Sequence, residues 1–218
     1  FSIGSACREL AIKEVARSHE ALESGEHQYF AQALRQRDMW RALPHFQGKV
    51  AYLDIETDGS NQDGNITMVG ISDGEDFRCL IAGDDLGDFP DVISHYSMIV
   101  TFFGTGFDLP VLQRHFPTVL LDQLHFDLCP ALAFLGYRGG LKSIERQFGI
   151  ERSEETQGLT GFDAVQLWRK HRIGAEGALE RLIAYNREDV VNLVELADKA
   201  YKLLEKSTLP KQLELVLG

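Results

Sequence analysis

The apolar positions of residues 48–103 fall into short runs bounded by turn residues, a pattern typical of β-strands. Asp-Gly pairs separate the first three runs, and such pairs favour tight turns between antiparallel strands. The pattern predicts strands over residues 49–55, 66–72 and 76–82, with turns at Asp63-Gly64 and Asp73-Gly74. We therefore expect a three-stranded antiparallel meander.

After the meander, strand-like and helix-like stretches alternate along the chain. The predicted strands span residues 98–103 and 122–127, and a polar loop is predicted over 150–160. Helical spacing of apolar residues predicts helices near 88–96, 108–115, 129–135, 141–149, 161–171 and 176–205. A meander followed by strand–helix alternation predicts an α/β fold whose mixed sheet carries helices on its faces.

The N-terminal part of the chain shows helical periodicity only. Helices are predicted over 5–24 and 27–42, because Gly25 separates them and Pro44 ends the second. Their apolar stripes, which we expect to pack on the rest of the protein, consist of Leu10, Ile12, Val15, Ala16 and Leu22 in the first helix and Phe30, Leu34 and Trp40 in the second. We interpret residues 1–45 as a helical arm and residues 46–218 as one domain.

The composition is that of a soluble globular protein, with 44% hydrophobic and 25% charged residues and no apolar stretch long enough to span a bilayer. Cys7, Cys79 and Cys129 are far apart and odd in number, so they predict neither a disulfide framework nor a zinc site. No secretory signal is visible, and we expect a reducing, cytoplasmic setting. The net charge of −11 argues against a non-specific nucleic-acid coat, although bound metal ions would reverse the charge near phosphates.

Two acids one residue apart end the first predicted strand, in the sequence VAYLDIETDG of residues 50–59. Successive strand side chains point to opposite faces, so Asp54 and Glu56 share one face. Neighbouring carboxylates repel each other, and a divalent cation would offset that repulsion. The alternative is a strand end that simply meets solvent.

A second motif, IVTFFGTGFDLPVL of residues 99–112, runs from a predicted buried strand through a glycine-rich turn into a helix. Asp108 is either a functional acid or only the helix N-cap, a position that favours aspartate. Gly104-x-Gly106 also begins a dinucleotide-binding pattern, but Leu109 occupies the position of the third glycine. We reject a dinucleotide site on that ground.

The third motif, AYNREDVVNLVEL of residues 184–196, lies in the last predicted helix. Tyr185 and Asp189 are four residues apart, so they share one face of that helix. They either belong to a site or are a core aromatic with a polar tip and an ordinary surface acid.

In this order, Asp-x-Glu on a strand, Phe-Asp after a strand and turn, and Tyr-x-x-x-Asp on a late helix resemble the DEDD exonuclease superfamily, in its tyrosine branch. The fragments HFDLCPAL, GLKSIERQFGIER and LTGFDAVQLWRKHRIGAEGALERLIAYNREDVVNLVEL are similar to bacterial YprB-like proteins. The resemblance covers about residues 48–200. It implies a ribonuclease H-like fold with a mixed sheet of five strands.

The resemblance also implies a metal-dependent 3′–5′ exonuclease that hydrolyses phosphodiester bonds of DNA or RNA, with a single-stranded 3′ end as its partner. Four carboxylates would hold two Mg²⁺ or Mn²⁺ ions: Asp54 would bridge both, Glu56 and Asp189 would complete one site, and Asp108 would serve the second. Two ions about 4 Å apart activate a water and stabilise the leaving oxygen. Tyr185 would orient that water, because a phenol with a pKa of about 10 is a poor base.

For substrate binding, the resemblance places the backbone near Thr57 at the terminal nucleotide. Phe107 is expected mainly in the core, with stacking on a base as the alternative. The second motif of many relatives reads Asn-Gly-x-x-Phe-Asp, whereas residues 103–108 read FGTGFD. We take Gly104 to replace the asparagine, which removes a side-chain contact but no metal ligand.

Other side chains near these motifs are interpreted structurally or left open. Asp127 is interpreted as the end of a strand and the cap of the following helix. Lys142 and Arg146, one helical turn apart, either approach phosphates or form a solvated helix face. Phe102 and Phe103 are expected in the core.

Two rival functions remain open from the sequence. One is a non-catalytic ribonuclease H-like module that binds nucleic acid or a protein, which the acidic net charge and Gly104 favour. The other is an endonuclease on the same fold. The sequence does not choose between DNA and RNA, and it leaves the oligomeric state, the pathway and the role of residues 1–45 open.

Overall fold

The computed structural model describes residues 5–60 and 65–208, so the predicted Asp63-Gly64 turn lies outside the described residues. In that part of the chain, the sheet has five strands in the order β3-β2-β1-β4-β5. They are β1 (Val50–Thr57), β2 (Ile66–Ser72), β3 (Phe77–Ile81), β4 (Met98–Thr101) and β5 (Leu124–Asp127). The first three strands are antiparallel neighbours, whereas β4 runs parallel to β1 and to β5. The predicted mixed sheet with its meander is confirmed.

Helices cover both faces of this sheet in the predicted order. The α-helices are α1 (Ser5–Ser24), α2 (His27–Ala33), α3 (Phe89–Ser94), α4 (Asp108–His115), α5 (Leu128–Phe134), α6 (Leu141–Gln147), α7 (Gly161–Arg172) and α8 (Ala178–Thr208). Two 3₁₀ segments, Gln36–His45 and Leu86–Asp88, precede β1 and α3. Among the described residues, no helix has the length and apolar character that a membrane crossing needs.

Alternation along β1 separates two hydrophobic layers. Ala51 and Leu53 pack on one face of the sheet, in a cluster with residues of α3 and α4. Val50 and Tyr52 pack on the other face, in a cluster with residues of α5 and α8. Because strand side chains alternate, the acids at positions 54 and 56 point to the same side as Val50 and Tyr52. Both acids therefore face the helix that carries the third motif.

The parallel strands bring three chain segments to one edge of the sheet. The acids lie near the carboxyl end of β1, the turn over residues 102–107 follows β4, and Asp127 ends β5. In open α/β sheets, the carboxyl ends of parallel strands are the usual place for a binding site. The topology therefore places the first two motifs beside each other.

The predicted helix over residues 27–42 is wrong beyond Ala33. The backbone is extended at Leu34, and residues 36–45 form a 3₁₀ helix that includes Pro44. Tertiary packing sets this conformation, because the segment buries four side chains in the core shared with β1 and α8. They are Met39, Trp40, Ala42 and Leu43.

The predicted packing of the α1 stripe is also wrong. Leu10, Ile12 and Val15 are 60%, 61% and 56% exposed, and Ala16 is exposed as well. Leu22, near the end of the helix, is partly buried against the core. Within the arm, the 3₁₀ segment Gln36–His45 supplies four buried side chains, whereas Leu10, Ile12 and Val15 of α1 are left in solvent.

The predicted strand over residues 98–103 ends at Thr101. Phe103 adopts a left-handed φ of 68°, which a strand does not allow. Its side chain is 55% exposed, so its predicted place in the core is wrong, whereas Phe102 is partly buried against the core. The remaining elements begin and end within a few residues of their predicted bounds, and the polar loop over 150–160 is confirmed.

A substitution at Trp40 tests whether the segment Gln36–His45 contributes to the stability of the domain that follows it. The Trp40 side chain is 4% exposed and meets the Tyr201 ring edge-on, with ring centroids 5.5 Å apart. Trp40→Ala should lower the free energy of unfolding by about 3–5 kcal/mol, because it removes a large buried side chain. Urea denaturation followed by circular dichroism measures this change.

Leu10→Ala is the matched control, because Leu10 is exposed on α1. It should change the free energy of unfolding by less than about 0.5 kcal/mol. Equal effects of the two substitutions would contradict the packing described here. The division of the chain at residue 45 stays a prediction.

Candidate active site

Three acids from two elements meet near the carboxyl end of β1. Asp54 and Glu56 belong to β1, and Asp189 belongs to α8. One carboxylate oxygen of each residue lies within 4.8 Å of the others. Glu56 and Asp189 are 8% and 7% exposed, and Asp54 is partly exposed. Glu56 therefore does not meet solvent as a plain strand end would.

Helix α8 presents Tyr185 and Asp189 one turn apart toward the sheet. Leu182 and Val190 of the same helix are fully buried, and their packing sets its rotation. Tyr185 is 4% exposed and lies in a hydrophobic cluster with Met68. The apolar packing of the Tyr185 ring agrees with the prediction of a core aromatic residue. The burial of Asp189 contradicts the alternative that it is an ordinary surface acid.

Asp108 lies beside this group at the start of α4. Its Oδ1 accepts a hydrogen bond from the backbone N–H of Ile55 at 3.2 Å, and its side chain is 3% exposed. Phe107, not Asp108, occupies the N-cap position, so the N-cap alternative is wrong. Asp108 is not one of the three acids that share the 4.8 Å group. The hydrogen bond to Ile55 fixes Asp108 next to β1, the strand that carries Asp54 and Glu56.

Asn186 orients Asp54, a role that the sequence motif did not reveal. Its Nδ2 donates to Asp54 Oδ2 at 3.0 Å, and the residue is fully buried. Gly70, the neighbour of Asp54 on β2, makes room for this amide. A Cβ at residue 70 would lie 1.9 Å from Asn186 Oδ1. A glycine within a strand signals a close approach, but the sequence alone does not name the approaching group.

Lys142 points into the site rather than to a solvated helix face. Its Nζ donates to the Tyr185 hydroxyl at 2.7 Å and also to the Leu159 carbonyl. The ammonium group lies 4.2 Å from the centre of the Tyr185 ring. Arg146, one turn further along α6, is exposed. The solvated helix face predicted as one alternative therefore fits Arg146 but not Lys142, whose side chain lies at the site.

Arg152 also reaches the site, from the polar loop over residues 150–160. Its Nη2 donates to Oδ1 of Asp189, and the same guanidinium pairs with Glu145 of α6. Sequence reasoning missed both residues, because a charge in a polar loop or on a short helix usually faces solvent. No periodic signal in the sequence indicates that these charges are buried.

Asp127 holds the turn that leads from β4 to Asp108. Its Oδ1 accepts from the backbone N–H groups of Phe103 at 2.8 Å and Cys129 at 3.1 Å. Its Oδ2 accepts from the N–H of Thr105 at 3.0 Å. The predicted structural role of Asp127 as strand end and helix cap is confirmed.

The missing asparagine of the second motif corresponds to Phe103, so assigning it to Gly104 is wrong. In Asn-Gly-x-x-Phe-Asp, the asparagine stands five residues before the final aspartate, which is Asp108 here. Residue 103 has a left-handed backbone, which asparagine adopts more readily than phenylalanine. Gly104 keeps the glycine of the motif, since a Cβ there would lie 2.1 Å from Thr101 Oγ1.

The two residues predicted to bind substrate flank the acids. Thr57 ends β1 directly after a bulge and is half-buried. Phe107 is half-buried and packs against the hydrophobic cluster that includes α4. This packing agrees with the expectation that Phe107 lies mainly in the core.

Burial raises the pKa of Asp54 and of Glu56 well above their usual range, and repulsion from the neighbouring acids raises both further. Burial also raises the pKa of Asp189, although the charge of Arg152 opposes this. Carboxylate oxygens are the ligands that Mg²⁺ and Mn²⁺ prefer, and cation binding would release the protons that these acids retain. The donor set therefore fits a divalent cation.

Asp108 should make the stability of the metal-free protein depend on pH. Burial raises its pKa to about 7, whereas an aspartate in an unfolded chain has a pKa of about 3.9. The folded state therefore binds this proton more tightly, and the free energy of unfolding should fall as the pH rises from about 4 to about 7. Asp108→Asn should make this fall shallower by an amount on the order of 1 kcal/mol per pH unit.

Urea denaturation in EDTA, at several pH values in that window, tests this expectation. Asp84→Asn is the control, because Asp84 is an exposed acid that is not part of the three-acid group. The wild type and the control should share one pH profile, and Asp108→Asn should differ from both. Three parallel profiles would show that Asp108 ionises normally in the folded state.

Comparison with known proteins places this arrangement in a family. No curated protein matches the chain. A family model described as the RNase H superfamily matches residues 51–201, which is more than half of the 218 residues. The matched span holds the whole sheet except Val50, together with the four acids and Tyr185. The chain therefore belongs to the ribonuclease H superfamily.

Proposed function

We propose that this protein is a metal-dependent 3′–5′ exonuclease of the tyrosine branch of the DEDD superfamily, related to YprB-like proteins. The observation that supports the proposal best is the grouping of Asp54, Glu56 and Asp189, with Tyr185 buried one turn away on the same helix. Asp108, from a third element, lies beside the group. All the residue types that the proposed reaction needs are thus within one small region.

In this proposal, Asp54, Glu56 and Asp189 would hold one divalent cation, and Asp54 and Asp108 would hold the second. Mg²⁺ and Mn²⁺ suit these oxygen ligands. When bound, such a pair of ions activates a water and stabilises the leaving oxygen of an in-line phosphoryl displacement. The protein itself holds the carboxylates in place, as Asn186 does for Asp54.

Tyr185 is proposed to position the attacking water. Burial raises the pKa of Tyr185, and the nearby charge of Asp189 raises it further, so the hydroxyl keeps its proton at neutral pH. Its oxygen accepts a hydrogen bond from Lys142 at 2.7 Å, which fixes the direction of the phenol. A fixed hydroxyl can hold a water in line with the scissile phosphate, and it does not need to act as a base.

Two adjoining clefts offer room for a nucleic-acid strand beside these residues. One has a volume of about 590 Å³ and is lined by Lys142, Arg146 and Arg152, among others. The other has a volume of about 330 Å³ and is lined by Lys142, Tyr185 and Asp189, among others. Lys142 and Arg146 would supply local positive charge for phosphates despite the net charge of −11, whereas Glu145 neutralises the charge of Arg152. We place the terminal nucleotide near the backbone of Thr57, with Phe107 as a candidate stacking residue.

Degradation of end-labelled single-stranded DNA and RNA tests the proposed activity. The substrates carry the label at the 5′ or the 3′ end, and the reactions contain Mn²⁺, Mg²⁺ or EDTA. We expect a ladder that grows from the 3′ end, needs metal and disappears in Asp54→Ala, because the shared metal ligand is lost. Asp84→Asn, an exposed acid, is the control and should retain the ladder.

The pattern of products separates the alternatives. Internal cuts that need metal and Asp54 would favour an endonuclease on the same fold. No cleavage of DNA or RNA by a folded, metal-bound wild type would favour a non-catalytic binding module. Which of the two polymers is degraded names the substrate.

Tyr185→Phe tests the positioning role of the hydroxyl. The substitution removes only the group that would hold the water, so we expect kcat to fall about 100-fold. The affinity for Mn²⁺ should stay unchanged, because Tyr185 is not a proposed ligand. Single-turnover kinetics and calorimetry measure the two quantities.

Tyr201→Phe is the matched control, since Tyr201 lies on the same helix and its hydroxyl donates to Glu205 at 3.2 Å. It should leave kcat unchanged. An equal loss in both variants would mean that the effect comes from α8 as a whole and would contradict the proposed role of Tyr185.

A further inference from the structure

A buried ion pair connects the loop after α6 with the acidic group. Arg152 donates through Nε to Glu145 Oε2 and through Nη2 to Glu145 Oε1, both at 2.7 Å. The same Nη2 donates to Asp189 Oδ1. The side chains of Arg152, Glu145 and Asp189 are 7%, 2% and 9% exposed. One guanidinium therefore bridges a carboxylate outside the group and a carboxylate within it.

Glu145 holds this guanidinium in one orientation. Its two oxygens and the planar fork of Arg152 form a bidentate pair, which fixes direction as well as distance. Asn192 of α8 donates to Glu145 Oε1 at 3.0 Å and so ties the carboxylate to the helix that carries Asp189. Moving Arg152 away from Asp189 would break these bonds within a buried site.

The loop that carries Arg152 is fastened to α8 at a second point. The backbone N–H of Ser153 donates to Glu188 Oε1 at 2.9 Å, and Thr156 Oγ1 donates to the other oxygen of Glu188. Glu188 is the residue directly before Asp189. The loop and the helix therefore keep a fixed relation around the acid.

We propose that Arg152, anchored by Glu145, is a positioning residue that fixes the carboxylate of Asp189 for a divalent cation. The inference rests on the proposed metal-dependent function. Arg152 binds one oxygen of Asp189 and thereby sets the direction of the other. Residues that orient metal ligands in this way commonly contribute 10–100-fold to metal affinity.

Two other roles for Arg152 have different consequences. A purely structural ion pair would stabilise the fold and leave metal affinity unchanged. A cation that competes with the metal would weaken metal binding, and its removal would strengthen it. The geometry favours positioning, because Glu145 neutralises the charge of Arg152 and holds it in place, so the pair adds no net charge to the group.

Calorimetric titration with Mn²⁺ alone distinguishes these roles. Arg152→Lys keeps the positive charge and loses the planar fork, so it should weaken Mn²⁺ binding about 10-fold or more. Arg169→Lys, an exposed arginine on α7, is the matched control and should bind Mn²⁺ as the wild type does. Urea denaturation in EDTA reports separately how much each substitution destabilises the metal-free fold.

Arg152→Gln answers the same question if Arg152→Lys does not fold. It removes both the charge and the planar fork, so Mn²⁺ binding should again weaken if Arg152 positions Asp189, and should tighten if Arg152 competes with the metal. Unchanged affinity in the folded variants would overturn the inference in favour of a structural pair, and tighter binding would overturn it in favour of competition. Absence of Mn²⁺ binding by the wild type would overturn the proposed metal site itself, and with it this inference.

Discussion

Repulsion between buried carboxylates is the constraint on which the rest of this structure depends. Asp54, Glu56 and Asp189 place oxygens within 4.8 Å of one another, and Asp108 lies beside them. If all were ionised, like charges at such distances would oppose folding. The chain keeps the acids together because each is carried by an element that the hydrophobic layers hold in place.

Strand β1 and helix α8 carry Asp54, Glu56 and Asp189 and fix their positions. β1 is the middle strand of the sheet: β2 pairs with the segment that carries Asp54 and Glu56, and β4 pairs with residues 50–52 before it. Polar partners then fix individual carboxylates: Asn186 binds Asp54, and Arg152 binds Asp189. These contacts hold the carboxylates in place without a cation, and such preorganisation would lower the cost of ordering ligands around one.

The sheet, the shared face of Asp54 and Glu56, and the shared face of Tyr185 and Asp189 were predictable because they rest on local, periodic signals. Strand alternation puts the first two acids on one face, and helical spacing puts Tyr185 with Asp189. Periodicity does not show which apolar face packs against the rest of the protein. The predictions that the α1 stripe is buried and that the second helix continues to residue 42 were therefore wrong. Asn186 and Arg152 escaped prediction because their roles come from contacts between residues far apart in the chain.

Helix α8 contributes both to the core and to the acidic group, and this sets where the chain can change its length. Leu193 and Leu196 pack in the layer beneath β1, while Asp189 faces the acids. One residue inserted between Asp189 and these leucines would rotate one set by about 100° relative to the other. An insertion between Asp189 and Leu193 would therefore displace either the core residues or the acid, whereas the turn over residues 173–177, which contains Gly174 and Gly177 with positive φ, can accommodate one.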